Sequence, residues 1–403
     1  MKLSTYKIRG NNDKLIGVVK NNSLINLNKF FGQISLLEML KLDNWESKIQ
    51  DVVNEEKCMS HDLNDVVLLS PIPNPNSLRD AYAFRQHVET SRRNRGLEMI
   101  KEFDEFPVFY FSNHNSIYGP NDEIMCMPSH FDKLDFELEI AIVIGKQGRN
   151  IKAKNASQYI AGFMIMNDLS ARGLQMKEMR LNLGPAKGKD FATVLGPFLV
   201  TPDELENKII SNDQNGNKYD LKMTCSLNGQ IMSEGNFGSI DWTFGQIIER
   251  VSYGSTIFPG DVIGSGTVGT GCLLELNGTN KLNNPNYNEI WLKEGDLVEM
   301  NIEGLGRQLY PELNLWDTAL PFLENWIKDR YSPLSVLRRL KPKLPYWLEK
   351  LPELPDVLYS NLSENSNLKK ELEVCHTEIN DFRRKFQIER LARRLLSFVL
   401  LGI

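Results

Sequence analysis

Asp135-Phe136-Glu137-Leu138-Glu139-Ile140-Ala141-Ile142-Val143-Ile144-Gly145 is the stretch on which the reading of the fold turns. β-Branched residues dominate its second half and Gly145 closes it, which predicts a strand. Successive side chains on a strand point to opposite faces, so Glu137 and Glu139 share one face. Two carboxylates side by side repel each other and are costly to bury unless a cation sits between them. Taken alone, a Glu-x-Glu reads as a solvated edge strand. The apolar run after it points instead to a strand entering a core, and then something must neutralise the pair.

The 403 residues suit two or three domains. A hydrophobic content of 41% and a charged content of 25% are those of an ordinary globular chain. The net charge of -5 makes no general case for nucleic acid or membrane binding. Cys58, Cys126, Cys225, Cys272 and Cys375 are scattered, odd in number and never in C-x-x-C spacing. This argues against a disulfide framework or a zinc site and fits a reducing, cytoplasmic setting. The first residues, Met1-Lys2-Leu3-Ser4-Thr5, lack the apolar run of a signal peptide.

The chain divides into three parts. Residues 1–72 are expected to form a small N-terminal domain. It holds a hairpin, Leu15 to Lys20 and Ser23 to Leu27 about an Asn21-Asn22 turn, then a helix over Leu36 to Val53 and a strand at Val66 to Leu69. Residues 73–306 carry many short strands between Gly, Pro and Asn turns, with few helices, chiefly Leu78 to Arg92 and Trp242 to Val251. This is a mainly β (α+β) body. Residues 307–403 change character: helical stretches broken by proline, then Leu368, Leu372, Cys375, Ile379, Phe382 and Phe386 in the four-three spacing of a heptad seam. Six basic residues and the apolar run Leu395 to Ile403 close the chain. That run is too short to cross a bilayer, which takes ~20 residues.

Two further motifs offer what the glutamate pair needs. Asp168 follows an apolar strand in Asn167-Asp168-Leu169-Ser170-Ala171-Arg172, and Asp80 opens Asp80-Ala81-Tyr82-Ala83-Phe84-Arg85-Gln86-His87. The reading places His87 two helical turns beyond Asp80. Each Asp alone reads as a cap or turn residue. Together, four carboxylates with no thiolate suit a hard cation, Mg²⁺ first, with Mn²⁺ or Ca²⁺ as alternatives.

These motifs carry a resemblance. Asp80 to His87, Phe136 to Glu139, Asn167 to Arg172, Gly188-Lys189-Asp190-Phe191-Ala192-Thr193 and Gly264-Ser265-Gly266-Thr267 to Leu276 resemble, in that order, the fumarylacetoacetate hydrolase family over roughly residues 60–306. The resemblance implies a rolled, mostly antiparallel sheet, a homodimer, and a divalent metal held by Asp80, Glu137, Glu139 and Asp168. It implies His87 as the water-activating base, Glu275 as the carboxylate that orients it, and Lys189 beside the reacting carbonyl. Tyr82, Arg172, Gln175 and Thr267 match substrate-contacting positions.

The chemistry so implied is hydrolysis of a carbon–carbon bond in a small β-diketo or acylpyruvate-type acid. The metal would act as a Lewis acid, His87 would take a proton from water and Lys189 would meet the oxyanion. Decarboxylation of a 2-oxo acid, or hydration, could use the same centre without attack by water.

From Glu303-Gly304-Leu305-Gly306-Arg307 onward, Gln308 to Trp316 and Ala319 to Glu324 resemble a second family, the C-terminal part of UbiB-like, kinase-related proteins of ubiquinone biosynthesis. No kinase motif stands upstream, so the join reads as a fusion. A rival expectation follows: a vestigial enzyme body acting as an interaction protein, with its basic and apolar end in peripheral contact with an anionic membrane.

Overall fold

The strand read at Glu137 to Ile144 lies deep inside a twelve-stranded sheet. The computed structural model describes residues 1–55 and 59–306. Cys58, the UbiB-like resemblance, the heptad seam and the basic and apolar end lie outside the described residues.

In chain order the elements that build and flank the site are β1 (Lys2–Ile8), β2 (Leu15–Lys20), β3 (Ser23–Asn26), α1 (Trp45–Asn54), β4 (Ser60–Asp62), β5 (Ser77–Ala81), α2 (Arg85–Arg93), β6 (Phe109–Ser112), β7 (Leu138–Ile144), β8 (Ile160–Asp168), α3 (Arg172–Glu178), β9 (Thr193–Val200), β10 (Lys222–Leu227), β11 (Gln230–Asn236), α4 (Phe244–Ser252), β12 (Asp261–Gly264), α5 (Leu273–Asn283) and β13 (Val298–Ile302). The main sheet runs β4-β3-β2-β1-β9-β8-β7-β12-β5-β6, with Val66–Leu68 pairing β1 and Ile117–Tyr118 pairing β9. Neighbours along the run are antiparallel except β12 and β5, which are parallel. Strands β11, β10 and β13 make a separate three-stranded sheet. The mainly β body is as the turn-punctuated sequence predicts, and its mostly antiparallel pairing is as the family resemblance implies.

Strand β7 is buried along its whole length. Leu138, Ile140, Ile142 and Ile144 enter one apolar cluster with Phe136, Phe163 and Ile263, while Ala141 and Val143 enter another with Met164, Met166 and Val262. A strand covered on both faces reads as a continuous apolar run rather than an alternation. Glu139 falls on the face of Ala141 and Val143, at the end where the strand leaves its aliphatic packing. The solvated-edge reading is thereby excluded: β7 is flanked by β8 and β12.

The N-terminal residues join the same architecture. Strand β1 pairs β9 through Leu3 and Leu199. Leu3, Ile16, Val18, Trp45 and Ile49 pack in the cluster that holds Ala141 and Leu78. The expected hairpin forms with its turn at Asn21, at φ 54. The expected helix over Leu36 to Val53 is broken, with a short turn at Leu36–Met39 and then α1, because Asn44 takes a left-handed conformation at φ 53 and ψ 38.

A second correction matters for the site. The helix expected from Leu78 starts only at Arg85. Asp80 lies instead on β5, bonded to β12 on one side and β6 on the other. Two ladders of backbone hydrogen bonds outweigh the local helical pattern, and His87 falls in the first turn of α2 rather than two turns beyond Asp80.

Candidate metal centre and catalytic dyad

The ends of β8, β7 and β5, the last two separated only by β12, converge on one point. Asp80 is the fourth residue of β5, Asp168 the last of β8, and Glu139 the second of β7; Glu137 precedes β7 in a bridge with Cys272. Each offers a carboxylate oxygen within 4.8 Å of the others, and all four residues are buried. Glycine matters at one neighbour: Gly264 pairs with Asp80 across β12 and β5, and a methyl group there would fall on Asp80 Oδ1.

Two cations of the chain meet this cluster. Lys189 Nζ donates to Asp168 Oδ2 at 2.6 Å and to Glu137 Oε2. Arg172, 3% exposed, donates through Nη2 to Glu137 Oε1 at 2.6 Å, through Nε to Asp135 Oδ2 at 2.9 Å and through Nη1 to Gln175 Oε1 at 2.9 Å. Asp135 is fully buried and also accepts the backbone N–H groups of Leu273 and Leu274 at the start of α5. Arg172 thus ties the residue before β7 to the first turn of α5 through a buried, charge-assisted network.

The electrostatics show what the chain leaves unbalanced. Burial opposes ionisation of Glu137, but Lys189 and Arg172 hold its carboxyl well below the usual carboxylate range. Glu139 goes the other way: burial and the neighbouring Asp80, Glu137 and Asp168 charges push it well up. Burial and Asp168 raise Asp80 to about 7. Burial also raises Asp168, against the pull of Lys189. Lys189 stays protonated because Asp168 and Glu137 outweigh its burial. Glu139 Oε2 and Asp168 Oδ1 are buried without a hydrogen-bond partner. Bare buried carboxylate oxygens are costly, and a divalent cation is the partner that two such oxygens in an all-oxygen donor set fit. The residues present fit a hard metal ion.

Beside the carboxylates sits a dyad. His87 Nδ1 lies 2.6 Å from Glu275 Oε1, and Glu275 Oε2 accepts the Thr270 N–H. His87 is 5% exposed and Glu275 1% exposed. The carboxylate accepts the Nδ1 proton and leaves Nε2 as the basic nitrogen. The half-buried Tyr82 stands edge-on to His87 at 5.6 Å between ring centroids. His87 is also close enough to Glu137 to favour its ionised form. A cavity of about 330 Å³ opens between α2 and α5, its walls including Ser91, Arg95, Lys133, Leu274, Lys281 and Trp291.

The eleven site residues read from the sequence are therefore buried or half-buried around two linked clusters. Thr267, expected at substrate, donates its hydroxyl to Glu139 Oε1 at 3.2 Å. Arg172 and Gln175, expected likewise, bond to each other, and Arg172 also bonds to Asp135 and Glu137. Sequence reasoning missed Asp135, Asn167 and Tyr110. Asn167 Oδ1 accepts the Glu137 N–H at 3.1 Å, and Tyr110 donates its hydroxyl to Asp168 Oδ2 at 2.5 Å. Asp135 carried a signal, as an acid on the strand face of Glu137; Tyr110 carried none.

A carboxylate-only metal centre next to a His–Glu dyad, on the ends of a rolled antiparallel sheet, defines a class of metal-dependent hydrolases and related enzymes. The family model described as fumarylacetoacetate (FAA) hydrolase C-terminal matches residues 77–309, more than half of the chain, and the chain belongs to this family. It is 28% identical to the fumarylacetoacetate hydrolase domain-containing protein 2 homolog of Dictyostelium discoideum, over 76% of this chain and 95% of that protein. It is 30% identical to the human mitochondrial oxaloacetate tautomerase FAHD2A, over 60% of this chain and 68% of that one. Among solved structures, fumarylacetoacetate hydrolase from Exiguobacterium antarcticum superposes with a TM-score of 0.56 at 25% identity, covering 76% of this chain and 96% of that one.

Proposed function

We propose that the protein is a metal-dependent hydrolase that cleaves a carbon–carbon bond in a small β-diketo or acylpyruvate-type acid. The observation that carries this reading is the buried His87–Glu275 pair set beside four clustered carboxylates, two of which keep a bare oxygen. A divalent ion held by Asp80, Glu137, Glu139 and Asp168, Mg²⁺ in the first instance, would supply Lewis acidity toward the oxygens of a bound 2-oxo acid.

The chain's own groups account for the rest. His87 Nε2 takes a proton from water as the hydroxide oxygen bonds to the carbonyl carbon of the acyl group. Glu275 holds the imidazole in the required tautomer and balances the imidazolium that forms. The carbon–carbon bond then breaks, its electron pair leaves as an enolate, and reprotonation at carbon yields a 2-oxo acid and a carboxylic acid. Lys189 provides the ammonium that can meet negative charge at the attacked oxygen.

The similarity to an oxaloacetate tautomerase favours a second reading. There the same dyad would move a proton at the carbon beside the ketone, and no water would add. Assays of acylpyruvate cleavage and of oxaloacetate enol–keto exchange, each with Mg²⁺ or Mn²⁺, separate the two. Cleavage that needs the metal supports the first; tautomerisation without any cleavage overturns it in favour of the second.

We also propose a homodimer, which would cover exposed apolar side chains such as Met125, Leu181 and Leu183. Light scattering tests it. Among the described residues no helix is long and apolar enough to cross a membrane.

A further inference from the structure

We propose that Tyr110 is a positioning residue of the metal centre, whose hydroxyl fixes Asp168 by one oxygen and presents the other to the cation. The inference rests on the metal reading above. Tyr110 lies on β6 directly across from Asp80 on β5. Directly paired residues on adjacent strands project to the same face, so its side chain points where Asp80 points. From there it reaches a second acid, donating its hydroxyl to Asp168 Oδ2 at 2.5 Å. Tyr110 thus lies beside Asp80 by strand register and bonds Asp168 through its hydroxyl.

The pattern of satisfied oxygens gives this contact its meaning. Only two carboxylate oxygens of the cluster are buried without a partner, Asp168 Oδ1 and Glu139 Oε2. Each belongs to an acid whose other oxygen accepts a hydroxyl: Asp168 Oδ2 from Tyr110 and Glu139 Oε1 from Thr267. A hydroxyl that satisfies one oxygen removes it from competition for the cation and fixes the carboxylate's rotation about its last bond. Asp168 then offers Oδ1 alone, as a single-oxygen ligand. Lys189 also donates to Asp168 Oδ2, but its flexible stem and its second partner, Glu137, make it the weaker constraint on the plane of the carboxylate. The partly exposed aromatic ring of Tyr110, with Lys189 Nζ 5.8 Å from its centroid, is rigid by comparison.

Partners that orient metal ligands typically set affinity by ~10–100-fold. The test is Mn²⁺ binding to the full-length chain, read by electron paramagnetic resonance for wild type and Tyr110→Phe. The phenylalanine keeps the ring and removes the one oxygen. The expected result is a ~10–100-fold weaker Mn²⁺ affinity together with an altered spectrum of the bound ion, because Asp168 can then rotate and present either oxygen. Wild-type affinity in Tyr110→Phe overturns the proposal. So does weaker affinity with an unchanged bound-ion spectrum, which marks general loosening rather than a reoriented ligand. If the wild-type chain itself takes up no Mn²⁺, the metal reading falls and this inference falls with it.

Discussion

His87 Nδ1 and Glu275 Oε1 stand 2.6 Å apart although 188 residues separate them in the chain. The contact exists because α2 packs on α5 where both leave the sheet, and it sets which nitrogen of His87 is free to act as base. His87→Asn should lower turnover by ~10²–10⁴ while leaving Mn²⁺ affinity at the wild-type level. Steady-state assays beside calorimetric titration check it. Cleavage at the wild-type rate would remove His87 from the chemistry.

The metal-free centre should carry a pH-dependent strain that one substitution relieves. Burial and Asp168 hold Asp80 protonated up to about 7 in the folded chain. The unfolded chain releases that proton near the ordinary value of ~4. Between those values the folded state binds more protons than the unfolded one, so stability from the protonated carboxyl is complete below the lower value and lost as pH rises through the upper one. Asp80→Asn cannot ionise. In EDTA, its melting temperature relative to wild type should therefore climb as pH rises through this window. A gap that stays constant with pH would contradict the assignment.

Gly264→Ala should damage the centre without touching a charged group. The added methyl would meet Asp80 Oδ1 and the Met166 side chain. Overpacking of this kind costs ~1–3 kcal/mol, visible in urea denaturation. Displacement of a ligand should at the same time weaken Mn²⁺ binding by ~10-fold or more, as loss of ligand orientation does. Unchanged Mn²⁺ affinity would show that Asp80 is not held where the metal binds.

The chemistry should survive removal of the tail. The family match ends at residue 309, and every candidate catalytic and metal-holding residue precedes it. A chain ending at residue 311 should keep wild-type turnover and Mn²⁺ affinity. Loss of both in a truncated chain that still folds by circular dichroism would show that the later residues complete the site.

The amino-acid sequence alone determined the strand at Leu138 to Ile144, the Asn21-Asn22 hairpin and the β-rich body. These follow from composition and short-range periodicity, and β-branched runs and turn residues keep their meaning wherever the chain goes. The four acids were legible as one set through the ordered motifs that carry the family resemblance, since each Asp alone reads as a cap or turn. Tertiary structure decided the rest. Asp80 left the helical pattern around it because β12 and β6 supply backbone partners from 184 and 30 residues further on in register. Thr267 and Arg172 became partners of Glu139 and Glu137 because desolvated carboxylates take the nearest donors, and which donors are nearest depends on how the strand ends converge. Tyr110 was invisible beforehand for the same reason: in Pro107 to Phe111 it is one more aromatic residue of a strand, and only the crossing of β6 past the end of β8 brings its hydroxyl to Asp168.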